Sequence, residues 1–199
     1  MLTKLEAVNR LLAAVSEAPV NSLTSGLPDA EVAESFLDRK TSDVLAQGWD
    51  CNTDEEVLTA PNADSQIPIA SDWISAEPSG RHAYLRDRFK TRRDPSDNAL
   101  KLFDSQLQSF TISNPVTLKI VRNVPFEDLT YNMRWYIAAL AAGEYQKSVL
   151  GSKSLSEDLR EDIARATAAV MDEEIQVSGA NYIYGNAHGH SVAYRNTYR

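Results

Sequence analysis

Residues 123–146, NVPFEDLTYNMRWYIAALAAGEYQ, join a proline, paired acids and four aromatic residues directly to an alanine-rich run. The density invites a reading as a reactive box, but the spacing argues for a structural join. Met133, Tyr136, Ile137, Leu140, Ala141 and Val149 recur at helical intervals and form one apolar stripe, with Gly151 as the stop. Thr130 stands where a helix N-cap is needed. The preceding VPFEDL then reads as an extended crossing into the helix, pinned by Pro125 and Phe126. Trp135 lies off the centre of the stripe, which makes it a candidate for contact with a neighbouring molecule.

Upstream of this join the period is two, not 3.6. VTLKIVR (116–122) alternates Val116, Leu118 and Ile120 with Thr117, Lys119 and Val121, the clearest strand in the chain. From Cys51 to about Val124, further short β-prone pieces are separated by proline- and glycine-rich turns: EVLT (56–59), QIPIA (66–70), DWISA (72–76), AYLRDRF (83–89), ALKLFD (99–104) and FTI (110–112). Pro68 limits its segment to an edge strand or none.

The outer parts are helical. Residues 2–17 carry Leu5, Val8, Leu11, Leu12 and Val15 on one face, with Pro19 as the expected terminator. Residues 29–47 repeat the pattern with Ala30, Ala33, Phe36, Leu37, Val44 and Leu45. Asp29 is the expected cap, Gly48 the stop, and Trp49 an apolar lid. After the join, a last helix opens with Ser154 and Glu157 spaced as a capping box. Leu155, Leu159, Ile163, Ala166, Val170 and Met171 then face one way to about Val177.

These segments predict an α+β fold: a discontinuous four-helix bundle (1–50 and 125–178) with an inserted small antiparallel β domain (51–124). Residues 179–199 follow as an extended C-terminal arm. The arm has no lasting period, and its Tyr182, Tyr184, Tyr194 and Tyr198 suit docking on a neighbouring surface.

Composition narrows the function classes. An apolar share of 43% against 24% charged residues is that of a folded chain rather than a disordered one. The charged first segment is unlike a signal peptide, and no apolar run approaches the ~20 residues that span a bilayer. These features lead us to expect a soluble, intracellularly made protein with no membrane partner. The net charge of −8 opposes a nucleic-acid-gripping surface and is compatible with a wall along which DNA slides.

Chemistry-bearing residues are sparse. Cys51, the sole cysteine, has no nearby activator and is expected to be half-buried and structural. His188 and His190 flank Gly189, but with His82 as the only other histidine they do not make a metal site. The acid groups Glu55–Glu56, Glu127–Asp128 and Asp172–Glu174 read as solvated faces. A glycosidase would need two acids held across a sugar, so a carbohydrate-degrading enzyme is retained as the alternative. No phosphate-binding loop or nucleophile elbow is present, and no cofactor is expected. The one basic cluster, YLRDRFKTRRDP (84–95), as a strand places Arg86, Arg88, Lys90 and Arg92 on one face. With Asp87 and Asp94 interleaved, an inter-subunit salt-bridge surface is the preferred reading over DNA contact.

Several separated motifs resemble one family when taken in order. They are AVNRLLAAVSEAPVNSL (7–23), DAEVAESFLDR (29–39), QGWDCNTDEE (47–56), IPIASDWI (67–74), KLFD (101–104), VPFEDLTYNMRWYIAALAAGEYQ (124–146) and LREDIARATAAVMDEE (159–174). Their order and coverage resemble the tail tubular protein A family, head–tail adaptors of short-tailed, podovirus-type bacteriophages. The resemblance implies a virion protein of the head–tail junction rather than an enzyme, made in the host cytoplasm. It implies a homo-oligomeric ring of twelve copies between portal protein and tail nozzle (a tubular protein B type), through which DNA passes during ejection. Two departures stand out: Thr130 follows Leu129 where the family has Leu-Pro, and the match weakens after about residue 180.

Overall fold

The computed structural model describes residues 2–151 and 153–177. The fold is α+β, in the order α1 (Lys4–Ala14), α2 (Pro28–Leu45), β1 (Thr53–Thr59), β2 (Trp73–Pro78), β3 (Phe89–Arg93), β4 (Leu100–Asp104), β5 (Val116–Arg122), α3 (Tyr131–Val149) and α4 (Lys153–Val177). Two compact units result, one of residues 1–37 and 130–199, the other of residues 38–129. The arm expected at 179–199 lies outside the described residues.

In the helical unit, Thr3 and Glu6 start α1 by exchanging side-chain-to-backbone hydrogen bonds of 3.2 and 2.7 Å, a capping box. The helix stops at Ala14, well before Pro19. Ser16 takes a left-handed φ of 63°, and the Ser16 and Glu17 amides donate to Ala13 and Leu12. Asn9 then fixes the exit, accepting from the Val20 amide at 2.7 Å and donating to the Val20 carbonyl at 2.9 Å. Nor is Asp29 the cap of α2. Pro28 occupies the first turn and the Leu27 carbonyl accepts from Ala30 and Glu31, leaving Asp29 as a favourable charge near the helix's positive end.

The central helix of this unit is α3. Thr130 Oγ1 caps it, accepting from the Met133 amide at 3.3 Å. Its burial is broader than the single expected stripe. Ala138, Ala139, Ala142, Tyr145 and Gln146 are buried along with Met133, Ile137 and Ala141, while Val149 is 52% exposed. The cause is packing from more than one side. Helices α1 and α4 both pack on α3, and α2 sets Phe36 edge-on to Tyr145 with ring centroids 5.3 Å apart. A helix so surrounded needs small residues, and the alanines let its neighbours approach. Gly143 takes this furthest: a Cβ there would lie 3.0 Å from Ile163 Cδ1 of α4.

Ala166 and Val170, four residues apart, are the buried face of α4. Met171 was expected on that face but is 45% exposed, because one residue further turns it about 100° away. The helix already begins at Lys153, so Ser154 lies inside the first turn rather than at the cap; its side chain, and those of Leu155 and Asp158, fall outside the described residues. An Arg10–Asp162 ion pair of 2.9 Å ties α1 to α4.

The second unit is built around β5, flanked by β1 and β2 in an antiparallel sheet of order β1-β5-β2. Strand β1 begins three residues before the expected EVLT and carries a bulge between Asp54 and Val57, where Glu56 has φ 53°. A hairpin of β3 and β4 forms a separate two-stranded ribbon. Ile67, Phe89, Leu102, Ile112, Leu118 and Ile120 are among the side chains of the shared core.

Three expected strands take other forms. Residues 66–70 run beside β4, with Ile67 and Ile69 bonded to Leu102 and Leu100, but Pro68 cannot donate and only a single bridge to Lys101 forms. FTI makes no strand; its Ile112 amide donates to Ser65 instead. AYLRDRF is mostly a 3-10 helix (Gly80–Leu85) and a turn, held by local bonds from Arg86 to Ala83 and Arg88 to Leu85. The crossing VPFEDL likewise contains a 3-10 turn, Phe126–Asp128, that buries Phe126.

The end of α2 reads as expected. Gly48 has φ 75°, and buried Trp49 folds back to donate from Nε1 to the Val44 carbonyl at 2.9 Å. Asn52, 3% exposed, then clamps this turn to the sheet, donating to the carbonyls of Leu45 (3.0 Å) and Arg122 (2.7 Å) and accepting from the Trp49 amide (2.9 Å).

Candidate functional site

The basic segment does not form one cationic strand face. Arg86 and Arg88 sit on the turn before β3, and only Lys90 and Arg92 belong to the strand. The reason lies in their partners. Arg88 grips the buried Asp104 through Nε (2.9 Å) and Nη2 (2.5 Å). The other Asp104 oxygen accepts from the amides of Gln106 and Leu107, capping the turn after β4. Arg88, with help from these amides, holds the Asp104 carboxyl below its usual range. Arg86 pairs with Glu77 at 3.3 Å, and the Lys90 ammonium donates to the Arg86 carbonyl at 3.1 Å.

Within β3 the cations are oriented by the ribbon itself. The Arg92 guanidinium lies 4.4 Å from the centre of the Phe103 ring on β4, a cation–π stack. Arg93 donates to the Asn98 carbonyl at 2.5 Å. Residues 90–93 are all exposed, so Lys90, Arg92 and Arg93 present positive charge to solvent from a preorganised strand.

The loop between the strands carries the opposite device, which the sequence reading missed. Lys101 is buried, and its ammonium lies between Asp94 (2.7 Å) and Asp97 (2.6 Å). The Lys101 hydrogen bond and those from the Ser96 amide and hydroxyl lower the Asp94 carboxyl to about 2. The two acids raise Lys101 in turn. Two acids spaced four and seven residues before a lysine across a turn were the available signal. The acids of the second network, Asp54 and Asp72, meet at Arg122, at 2.5 and 2.7 Å; they come from separate segments, which no local spacing reveals.

Trp135 is half-buried on α3. Tyr182, Tyr184, Tyr194 and Tyr198, like His188 and His190, lie outside the described residues. His82 accepts the Thr117 amide on Nδ1 at 2.8 Å, fixing the 3-10 helix against β5. Among the described residues no three His, Cys, Asp or Glu side chains gather as a metal site. Cys51 is exposed rather than half-buried, because it lies on the outer side of the short 3-10 turn Asp50–Asn52. Glu55 is paired with Lys119 at 2.7 Å. A hollow of about 350 Å³ beside Tyr84 and Leu107 contains Asp104, but that carboxylate is tied to Arg88. No described helix is long and apolar enough to cross a membrane.

The described charged residues make exposed surfaces and buried clamps. The family described as tail tubular protein matches residues 5–180, which spans both units. The chain is 26% identical over 175 residues to tail tubular protein A of Klebsiella phage KP34, covering 88% of each chain. This chain therefore belongs to the tail tubular protein family, structural proteins of the phage tail.

Proposed function

We propose that the chain is a head–tail adaptor that forms a twelve-membered ring between portal protein and tail nozzle, around the channel that DNA traverses. The observation that carries this reading is the unbroken family match from residue 5 to 180, which takes in the whole architecture rather than one motif. A ring of like copies needs two different, complementary faces on each copy. Lys90, Arg92 and Arg93 on the β3 ribbon provide a basic patch in a chain whose net charge is −8, which suits contact between an acidic surface and this strand on successive copies. The same net charge suits a channel that passes DNA without gripping its sequence. Residues 179–199 serve as the portal-docking arm through their tyrosines.

Co-expression with the portal protein of the same phage, followed by native mass spectrometry and cryo-EM, tests the reading. A closed ring of this chain seated on the portal is expected. A chain that stays monomeric and ignores the portal overturns the adaptor role. Deleting residues 180–199 is expected to preserve the helical circular-dichroism signal and abolish portal capture; undiminished capture removes the arm from the interface.

A further inference from the structure

The hollow of about 350 Å³ in the second unit combines an apolar floor with an exposed apolar rim. Phe89, Ile112 and Val116 line it as buried side chains, whereas Tyr84 and Leu107 are 78% and 66% exposed. Two large side chains held this far into water favour a partner that covers them. The volume is that of a small binding pocket, with room for one large side chain and the groups beside it.

The nitrogen groups of two lining residues are donors in search of an acceptor. His82 accepts the Thr117 amide on Nδ1 at 2.8 Å, which leaves Nε2–H as its donor. Arg88 uses Nε and Nη2 on a single oxygen of Asp104, and its Nη1 has no acceptor among the described residues. Asp104 itself is saturated, since its other oxygen takes the amides of Gln106 and Leu107. Lys90 bends back to the Arg86 carbonyl at 3.1 Å, which brings its ammonium to the turn that carries Arg88. Residues 86–93 hold five cations and one acid, Asp87, while Glu77 and Asp104 pair with two of the cations. A surplus of two positive charges therefore stands here, in a chain of net charge −8. Free donors and local positive charge both select a ligand that carries carboxylates.

We propose that this hollow is a docking site for an acidic peptide segment of a partner protein. One side chain of leucine or phenylalanine size enters between Tyr84 and Leu107, and the carboxylates flanking it meet Arg88 and Lys90. The site does not depend on the adaptor reading, since it stands whether or not the chain forms a ring.

The test titrates the nitrogen-15-labelled full-length chain with the peptide acetyl-Asp-Phe-Glu-amide and follows backbone amide shifts by NMR. Shifts centred on Leu107, Asn114 and Thr117 are expected, the last because His82 holds its amide. Acetyl-Asp-Gly-Glu-amide is expected to bind about tenfold more weakly, on the scale of one buried aromatic side chain. Acetyl-Lys-Phe-Lys-amide is expected to bind more weakly still at low salt. Leu107→Ser and Tyr84→Ser weaken binding of the acidic peptide, whereas Leu58→Ser, exposed on β1 and outside the lining, leaves it unchanged. Unperturbed amide shifts away from the hollow show that each variant is folded. Equal binding of the three peptides, or shifts that persist in both rim variants, overturn the site. Oligothymidylate that moves the same amides at a lower concentration than the acidic peptide overturns it in favour of a nucleic-acid strand.

Discussion

Asn52 donates to the carbonyl oxygen of Arg122 at 2.7 Å across 70 positions of sequence, and with the same amide group donates to Leu45 at 3.0 Å. One buried side chain thereby fastens the end of α2 to the last residue of the central strand. Asn52→Ala removes the donor to the Arg122 and Leu45 carbonyls and the acceptor of the Trp49 amide, although the Leu45 carbonyl keeps the Gly48 amide at 3.1 Å. The expected cost is about 2–3 kcal/mol, on the scale of buried polar groups left unsatisfied. Urea unfolding checks this, and a loss under about 0.5 kcal/mol, within the range of ordinary surface changes, refutes the clamp.

The Asp94 carboxyl is depressed to about 2, first by Lys101 and then by Ser96. A depressed carboxyl stabilises the fold fully above its unfolded value, near 3.9, and that contribution is lost as pH falls through the folded value. Stability of the β3–β4 ribbon is therefore expected to decline between about pH 5 and pH 2. Asp94→Asn removes its share and makes the decline shallower, the Asp97 and Asp104 carboxyls, also lowered, keeping the rest, with lower stability at neutral pH. The carboxyl carbon shift of Asp94 followed by NMR gives the midpoint directly; a midpoint near 4 contradicts the network.

Thr130 sits at φ −62° and ψ 158°, with Leu129 extended at φ −75° and ψ 159°. Thr130→Ala removes the cap on Met133 and is expected to cost about 1 kcal/mol. Thr130→Pro restores the Leu-Pro pattern of the family at backbone angles that proline and its predecessor both adopt. Its midpoint in thermal unfolding is expected to lie above that of the alanine variant. A proline variant that does not fold shows that the cap geometry is wrong.

Close approach along α3 rests on residues without bulk. Ala141→Leu forces a larger side chain into a fully buried position and is expected to destabilise by about 1–3 kcal/mol. Gly143→Ala meets only the flexible tip of Ile163 and gains helix propensity, so it is expected to be neutral within about 1 kcal/mol. Thermal unfolding of the pair decides; equal losses contradict the packing described.

Arg88 and Arg92 belong to one basic run but do different work. Arg92→Glu is expected to leave the unfolding midpoint nearly unchanged while weakening the proposed ring contact in a salt-dependent way, followed by native mass spectrometry. Arg88→Ala strands the buried Asp104 and is expected to lower the midpoint itself. If both variants assemble normally, the ribbon is not the subunit contact.

The elements that could be read from the sequence are those whose pattern is local and whose surroundings are simple. VTLKIVR alternates cleanly and is β5; Thr130 and Gly151 bracket α3 as capping chemistry requires. Errors arose where tertiary partners decide. The arginines of 86–93 looked like a strand face because alternation ignores Asp104 and Glu77, which pull Arg88 and Arg86 into a turn. On α3 burial is wider than the apolar stripe, since periodicity cannot count how many helices surround another. Met171 joined the wrong face by one residue. Of the candidate interface, the cations of β3 were legible, whereas the Asp94–Lys101–Asp97 staple that shapes the loop between the strands was not.

Strand β5 is bonded on both edges, to β1 and to β2, and Val116, Leu118, Ile120 and Val121 are all buried along it. In hydrogen-exchange terms, its amides have no cheap local opening: releasing them separates both neighbours and exposes the core together. The slowest-exchanging protons of residues 38–129 therefore belong to residues 116–122. Their exchange is expected to report the free energy of opening the whole unit rather than of one edge.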